Sequence, residues 1–387
     1  MTKLLLRAFV LFAICLNCYG HKHQIDLAYD HQVTKKTLEQ KIKKAIDRNA
    51  SKALKNDLIN ALSIGIHIND TSYTFHYGEL TKNKGDKPTD RTIYEVASVT
   101  KTFTGTLAAK AILENKLSLE DDVRKFLPAP YSNLEYQGEP IKIKHLLTHT
   151  SGLPSGLLGF IETRTNLNEI EFSQQYLSYE DKQTKASFFE ELEKLSITST
   201  PGSSFNYSNP GSNLMGYILE RVLNQPFQKL IMDEVIAKAN MENTHFHTPR
   251  DKQQRLANGY LLNTIAPATN LAKGLWGAEG ALKSTTVDLL KYIRYQLSND
   301  SFVKESHRKL YEIDKDYWIG YFWWVISNQN HDLHYRHDGG IAKAKNILVI
   351  YPERAIGISV ITNQSSIKIY QELSDLTYSI YKELTAL

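Results

Sequence analysis

The segments that alternate like β-strands lie near both ends of this chain, with a long helix-patterned stretch between them. Leu62, Ile64, Ile66 and Ile68 alternate with Ser63, Gly65 and His67; Asn69-Asp70 reads as a turn; Tyr73, Phe75 and Tyr77 alternate again. That is a hairpin by its period of two. Strand patterns return only at Trp318 to Ile326, Leu333 to His337, Asn346 to Tyr351 and Ile356 to Thr362, the last two joined by the turn residues Pro352-Glu353-Arg354. A closing helix carries Ile369, Leu373, Leu376, Ile380 and Leu384 on one face. An amphipathic helix (Leu38, Ile42, Ile46) precedes the hairpin, and another begins after Ser284, with Thr285 placed to cap it. Residues 160 to 185 are polar and aperiodic and read as a long surface loop. No Pro/Gly/Ser-rich linker or internal repeat separates independent domains. The chain has 387 residues, 42% of them hydrophobic, which is enough for one large α/β unit. The expectation is an α/β (α+β sandwich) fold whose antiparallel sheet is assembled from both chain ends (about 38–97 and 300–387), flanked by helices, with an inserted all-α subdomain over about 98–299.

The first residues fall outside that scheme. Lys3 and Arg7 precede or enter the apolar run Ala8 to Leu16, and the small residues Cys18 and Gly20 prepare a cleavage after Gly20. This is the layout of a secretory signal peptide over residues 1–20, and the run is short for a membrane span. Secretion or a periplasmic location follows as the expectation, with peripheral or no membrane association. Both cysteines of the chain, Cys15 and Cys18, belong to this segment. The remainder therefore has no disulfide, cysteine nucleophile or cysteine-bound zinc. The formal charge is +4, and Lys and Arg are scattered among acids, so no nucleic-acid partner is expected. The cluster Lys35, Lys36, Lys41, Lys43 and Lys44 reads as the wet face of the first helix.

The chemistry is carried by short motifs. In Ser98-Val99-Thr100-Lys101 the lysine stands one helical turn beyond the serine, where its amine can serve the hydroxyl as a base. The same spacing recurs at Ser301/Lys304, Ser306/Lys309, Ser365/Lys368 and Ser379/Lys382. Only Ser98 follows a hairpin and opens an apolar helix (Phe103, Leu107, Ala108, Ile112). Tyr207-Ser208-Asn209 follows the turn Pro201-Gly202 and offers a phenol for proton transfer and an amide for a carbonyl. Tyr131-Ser132-Asn133 repeats the pattern but sits beside Pro128 and Pro130 as a turn. His337-Asp338-Gly339-Gly340 ends a strand with glycines that permit close backbone approach. His331, His334 and His337 are evenly spaced but alternate across a strand, so no metal site is expected, and no cofactor either. His245 and His247 read as surface residues, and His149 as a hydrogen-bonding group that fixes its loop.

Together, the order and separation of these elements resemble the penicillin-recognising serine hydrolases, in the branch of class C β-lactamases, D-alanyl-D-alanine carboxypeptidases and related esterases. Ala97 to Gly105, Leu146 to Pro154, Pro201-Gly202 and Gly280 to Thr285 fit as well, and the resemblance spans roughly residues 40–385. It implies Ser98 as nucleophile, with Lys101 and Tyr207 sharing general-base and general-acid duty. It further implies that Asn209, His337, Asp338, Gly339 and Gly340 bind substrate, and that the N–H groups of Ser98 and Gly340 form an oxyanion hole. Small-molecule or peptide substrates follow: cell-wall peptides, β-lactams or esters. The chain departs from the β-lactamase pattern at three places. His337 stands where Lys is usual, Asp338 where Thr helps bind the substrate carboxylate, and Ser155-Gly156 where class C enzymes carry glutamine. Asp338 is expected to repel a carboxylate unless Arg336, Lys343 or Lys345 neutralises it.

Overall fold

The structure, a computed structural model, describes residues 36–156, 167–265, 275–327 and 332–387. The expected signal peptide and His331 lie outside these residues. An eight-stranded antiparallel sheet is built from β1 (Ala61–Ile68), β2 (Thr71–Gly78), β3 (Tyr311–Asp314), β4 (Tyr317–Gly320), β5 (Trp323–Ser327), β6 (Leu333–Ile341), β7 (Ala344–Tyr351) and β8 (Ile356–Thr362). The strand order is β2-β1-β8-β7-β6-β5-β4-β3. The seam between the two chain ends is the β1–β8 ladder, from Ser63 opposite Ile361 to Ile68 opposite Ile356.

Local chemistry explains most of these boundaries. Asn69 and Asp70 both take left-handed φ (48° and 58°), the conformation a tight two-residue hairpin requires. β1 is buried on both faces, not one. Its small residues make that possible: a Cβ on Gly65 would lie 2.9 Å from Leu290, so the helix Thr286–Gln296 packs directly on the strand. Thr285 caps that helix, accepting the Asp288 N–H at 3.2 Å. The apolar stripe of Ile369–Thr385 is buried at Ile369, Leu373, Leu376, Ile380 and Leu384. Residues 36–52 and 378–387 form a compact unit of their own, in which Arg48 pairs with Glu383 and Asn49 donates to the same carboxylate at 2.9 Å.

Three expectations need correction. Trp318 to Ile326 is two strands, because the chain reverses at Tyr321 and Phe322, both at positive φ (49° and 69°). Neither is a turn-forming residue. The Phe322 N–H donates to the Leu147 carbonyl at 2.8 Å, and Tyr321 packs where a Cβ on Gly105 would lie 2.1 Å from its carbonyl oxygen. β6 does not stop at His337 but continues through both glycines to Ile341, paired with β7 throughout. Residues 160–185 are not one loop: within their described part lies the helix Glu169–Lys182, and Lys185–Lys194 follows. Asn168 caps the first of these by accepting the Ile170 and Glu171 N–H groups, and Thr184 caps the second through the Ser187 N–H.

Candidate active site

Ser98 sits in a single tight turn, Ala97–Val99, between the short strand Tyr94–Glu95 and the helix Thr100–Leu113. Several contacts fix that turn. Ala97 has φ 45°. Val96 donates to the Leu282 carbonyl at 3.0 Å, and its own carbonyl accepts Asn346 Nδ2 at 3.1 Å. Gly339 closes the other side: a Cβ there would lie 2.3 Å from the Val96 oxygen. This glycine is therefore required by the approach of β6 to the Ser98 turn.

Lys101, the second residue of that helix, lies one turn beyond Ser98 and is fully buried. Its Nζ is 3.2 Å from Ser98 Oγ, 2.8 Å from Asn209 Oδ1 and 2.6 Å from the Glu279 carbonyl oxygen. Burial lowers its pKa to about 7, against the upward pull of the Glu279 and Glu180 carboxylates. The Tyr207 phenol hydrogen-bonds to Ser98, and burial holds it well above the ordinary tyrosine range. The Tyr207 ring centroid is 4.9 Å from Lys101 Nζ. The fold thus brings together the hydroxyl, amine and phenol singled out from sequence, together with Asn209.

The loop bearing Tyr207 is held by His149. The Asn206 N–H donates to the His149 carbonyl at 2.7 Å, and the Ser208 N–H donates to His149 Nδ1 at 3.2 Å. The two rings lie 4.3 Å apart. Burial and the nearby Lys101 and His337 keep this imidazole neutral, so that Nδ1 can accept. Ser208 then caps the helix Asn209–Leu223 by accepting the Gly211 N–H at 3.0 Å.

The strand motif is arranged differently. A cleft of about 520 Å³ is lined by Ser98, Tyr207, Asn209, Glu279, Gly340 and Lys345, with Phe172, Tyr176 and Leu177 supplying apolar wall. His337, Asp338 and Gly339 are not on this wall. The His337 ring is buried, stacks on Trp324 at 5.3 Å, has Nδ1 2.9 Å from the Asp338 carbonyl oxygen, and is held neutral by burial at a pKa of about 3. Asp338 is clamped by Arg336 in a bidentate pair at 2.7 and 2.8 Å. Its charge is spent within the strand. His334 is directed to the face opposite His337, and no metal-binding cluster of His, Cys, Asp or Glu occurs among the described residues. His247 is exposed, whereas His245 is half-buried and within 3.2 Å of Lys252 Nζ.

Two acidic residues had no motif to announce them. Glu279 and Glu180 are buried beside Lys101, share a hydrogen bond, and are pushed upward chiefly by burial. Glu279 directly precedes the Gly280-to-Thr285 segment, which was its one available signal. Glu180 lies on the helix read as a loop.

The chain is similar to known proteins over most of its length. A family model described as Beta-lactamase matches residues 46–376. Protein flp of Staphylococcus aureus (strain N315) is 30% identical over 304 residues, covering 75% of this chain, and the chain spans only 56% of that relative's length. A beta-lactamase of Providencia stuartii is 26% identical over 327 residues, covering 81% of this chain and 77% of that one. The solved β-lactamase/D-alanine carboxypeptidase of Yersinia pestis superimposes with a TM-score of 0.76 at 20% identity, covering 89% of this chain and 98% of the other. The match of the family model across most of the sequence places this chain in the beta-lactamase family.

Proposed function

We propose that the chain is a serine hydrolase that works through an acyl-enzyme on Ser98. The observation that carries this reading is the hydrogen-bonding of Lys101. A free amine has two hydrogens and one lone pair, and Nζ has two fixed acceptors, Asn209 Oδ1 and the Glu279 carbonyl, plus one hydroxyl, Ser98. With a pKa of about 7, roughly half of Lys101 is the free amine at neutral pH. Its lone pair then accepts the Ser98 proton as Oγ bonds to the substrate carbonyl carbon. The oxyanion is received by the N–H groups of Ser98 and Gly340. As the bond to the leaving group breaks, Tyr207 gives that group its proton and is reprotonated from Lys101. Burial makes a lasting Tyr207 phenolate costly, which suits it to relaying a proton. Water then repeats the sequence in reverse and frees the acid.

The substrate is a cell-wall peptide ending in D-Ala-D-Ala, or a related β-lactam or amide, and export through residues 1–20 would deliver the enzyme to it. A carboxylesterase is the second reading, favoured by the neutral, buried His337 where a charged lysine is usual in β-lactamases. A panel of nitrophenyl esters, a chromogenic cephalosporin and a D-Ala-D-Ala peptide, each with Ser98→Ala as control, separates the two. Peptide cleavage without ester preference supports the first reading; ester turnover alone supports the second. A penicillin adduct that persists in the intact mass would replace both with a binding protein that does not turn over.

A further inference from the structure

Resting on that acyl-enzyme reading, we propose that Lys345 selects the substrate by binding a carboxylate placed near the scissile bond. The β6–β7 register sets Lys345 directly opposite Gly340. Its Nζ lies 2.5 Å from where a Cβ on Gly340 would stand, beside the backbone assigned to the oxyanion. Nζ sits 4.0 Å from the centroid of the Tyr370 ring, which supports a cation from one side. The side chain lines the cleft, yet it makes no hydrogen bond or ion pair with any described residue.

The nearby carboxylates are engaged elsewhere. Asp338 is held by Arg336. Glu169, which also lines the cleft, accepts the Ile367 N–H at 3.2 Å. Glu279 is hydrogen-bonded to Glu180 and Asn213. Burial lowers the Lys345 pKa to about 8, with Glu169 and Asp338 pulling it back, so the amine stays mostly charged at neutral pH. A partly desolvated cation without a counter-ion is costly, and an incoming carboxylate removes that cost. The apolar wall of Phe172, Leu177, Leu261 and Ile341 completes the specification: an ester or amide with one apolar group and one carboxylate.

The test uses two matched pairs of phenyl esters. In one pair the alcohol part carries a free carboxylate or its methyl ester; in the other the acyl part does. The readout is the ratio of kcat/KM for the acid to that for the neutral partner. Lys345→Met is expected to lower this ratio about tenfold or more in at least one pair, and Lys345→Arg to keep most of it. A ratio within about twofold of the wild type in both pairs overturns the proposal. Should Lys345→Met fail to fold, inhibition of the unmodified enzyme decides. Benzoate should compete about tenfold more tightly than benzamide, and equal inhibition overturns the proposal. Turnover surviving in Ser98→Ala would instead sink the acyl-enzyme reading itself.

Discussion

Around Ser98 the ionisable groups are buried and hydrogen-bonded to one another, and burial pushes each toward its neutral form. Along β6 and β7, charges are kept: Arg336 and Asp338 as a closed pair, Lys345 as an open one. The first corner is built to move a proton and the second to recognise charge. Their difference is one of partners. Lys101 is buried against uncharged acceptors and is driven toward its free amine, whereas Asp338 is paired with a guanidinium two residues away.

If that contrast is right, changes at the first corner should cost rate, and changes at the second should cost stability or selectivity. Ser98→Ala removes the nucleophile and is expected to lower kcat/KM about 10⁴-fold or more with an unchanged melting temperature. Lys101→Met removes the base, and a loss of about 10³-fold in acylation, measured in a stopped-flow burst, is expected. Tyr207→Phe keeps the ring against His149 and deletes only the phenol; a loss of about 10²–10³-fold is expected, largest for poor leaving groups. Asp338→Ala strands Arg336 in a mostly buried position and should lower stability by about 2–3 kcal/mol in a urea titration. The smallest effect is at Glu279→Gln. That carboxylate raises the Lys101 pKa, so its removal should move the acid limb of the kcat/KM profile to lower pH. An acid limb that stays where it is would mean that the Glu279 charge does not act on Lys101.

The two corners also differed in how far they could be read from sequence. Ser98 and Lys101 are one turn apart on one helix, so local spacing alone predicts their meeting. Tyr207 and Asn209 joined them only by resemblance, because their loop is positioned by His149, far away in the chain. On β6 the motif named the right strand but could not tell which side chains reach the cleft. His337 faces Trp324, and the charged side chain that reaches the cleft is Lys345, across the hairpin. That depends on register, which a single strand pattern does not specify. The sheet drawn from both chain ends was legible because its alternation is regular. The helix Glu169–Lys182 was missed because its polar sequence hides a capping box, Asn168 to Glu171. The reversal at Tyr321-Phe322 was missed because long-range contacts, not turn residues, enforce it.

The central claim is that Ser98 is acylated by way of a neutral Lys101. The pH dependence of the acylation burst with a nitrophenyl ester, with the adduct located on Ser98 by mass spectrometry, tests it most directly. The account expects the burst rate to rise with pH through a midpoint near the Lys101 pKa of about 7. A burst that rises only near the ordinary lysine value of about 10.4, or an adduct on any residue other than Ser98, would contradict it.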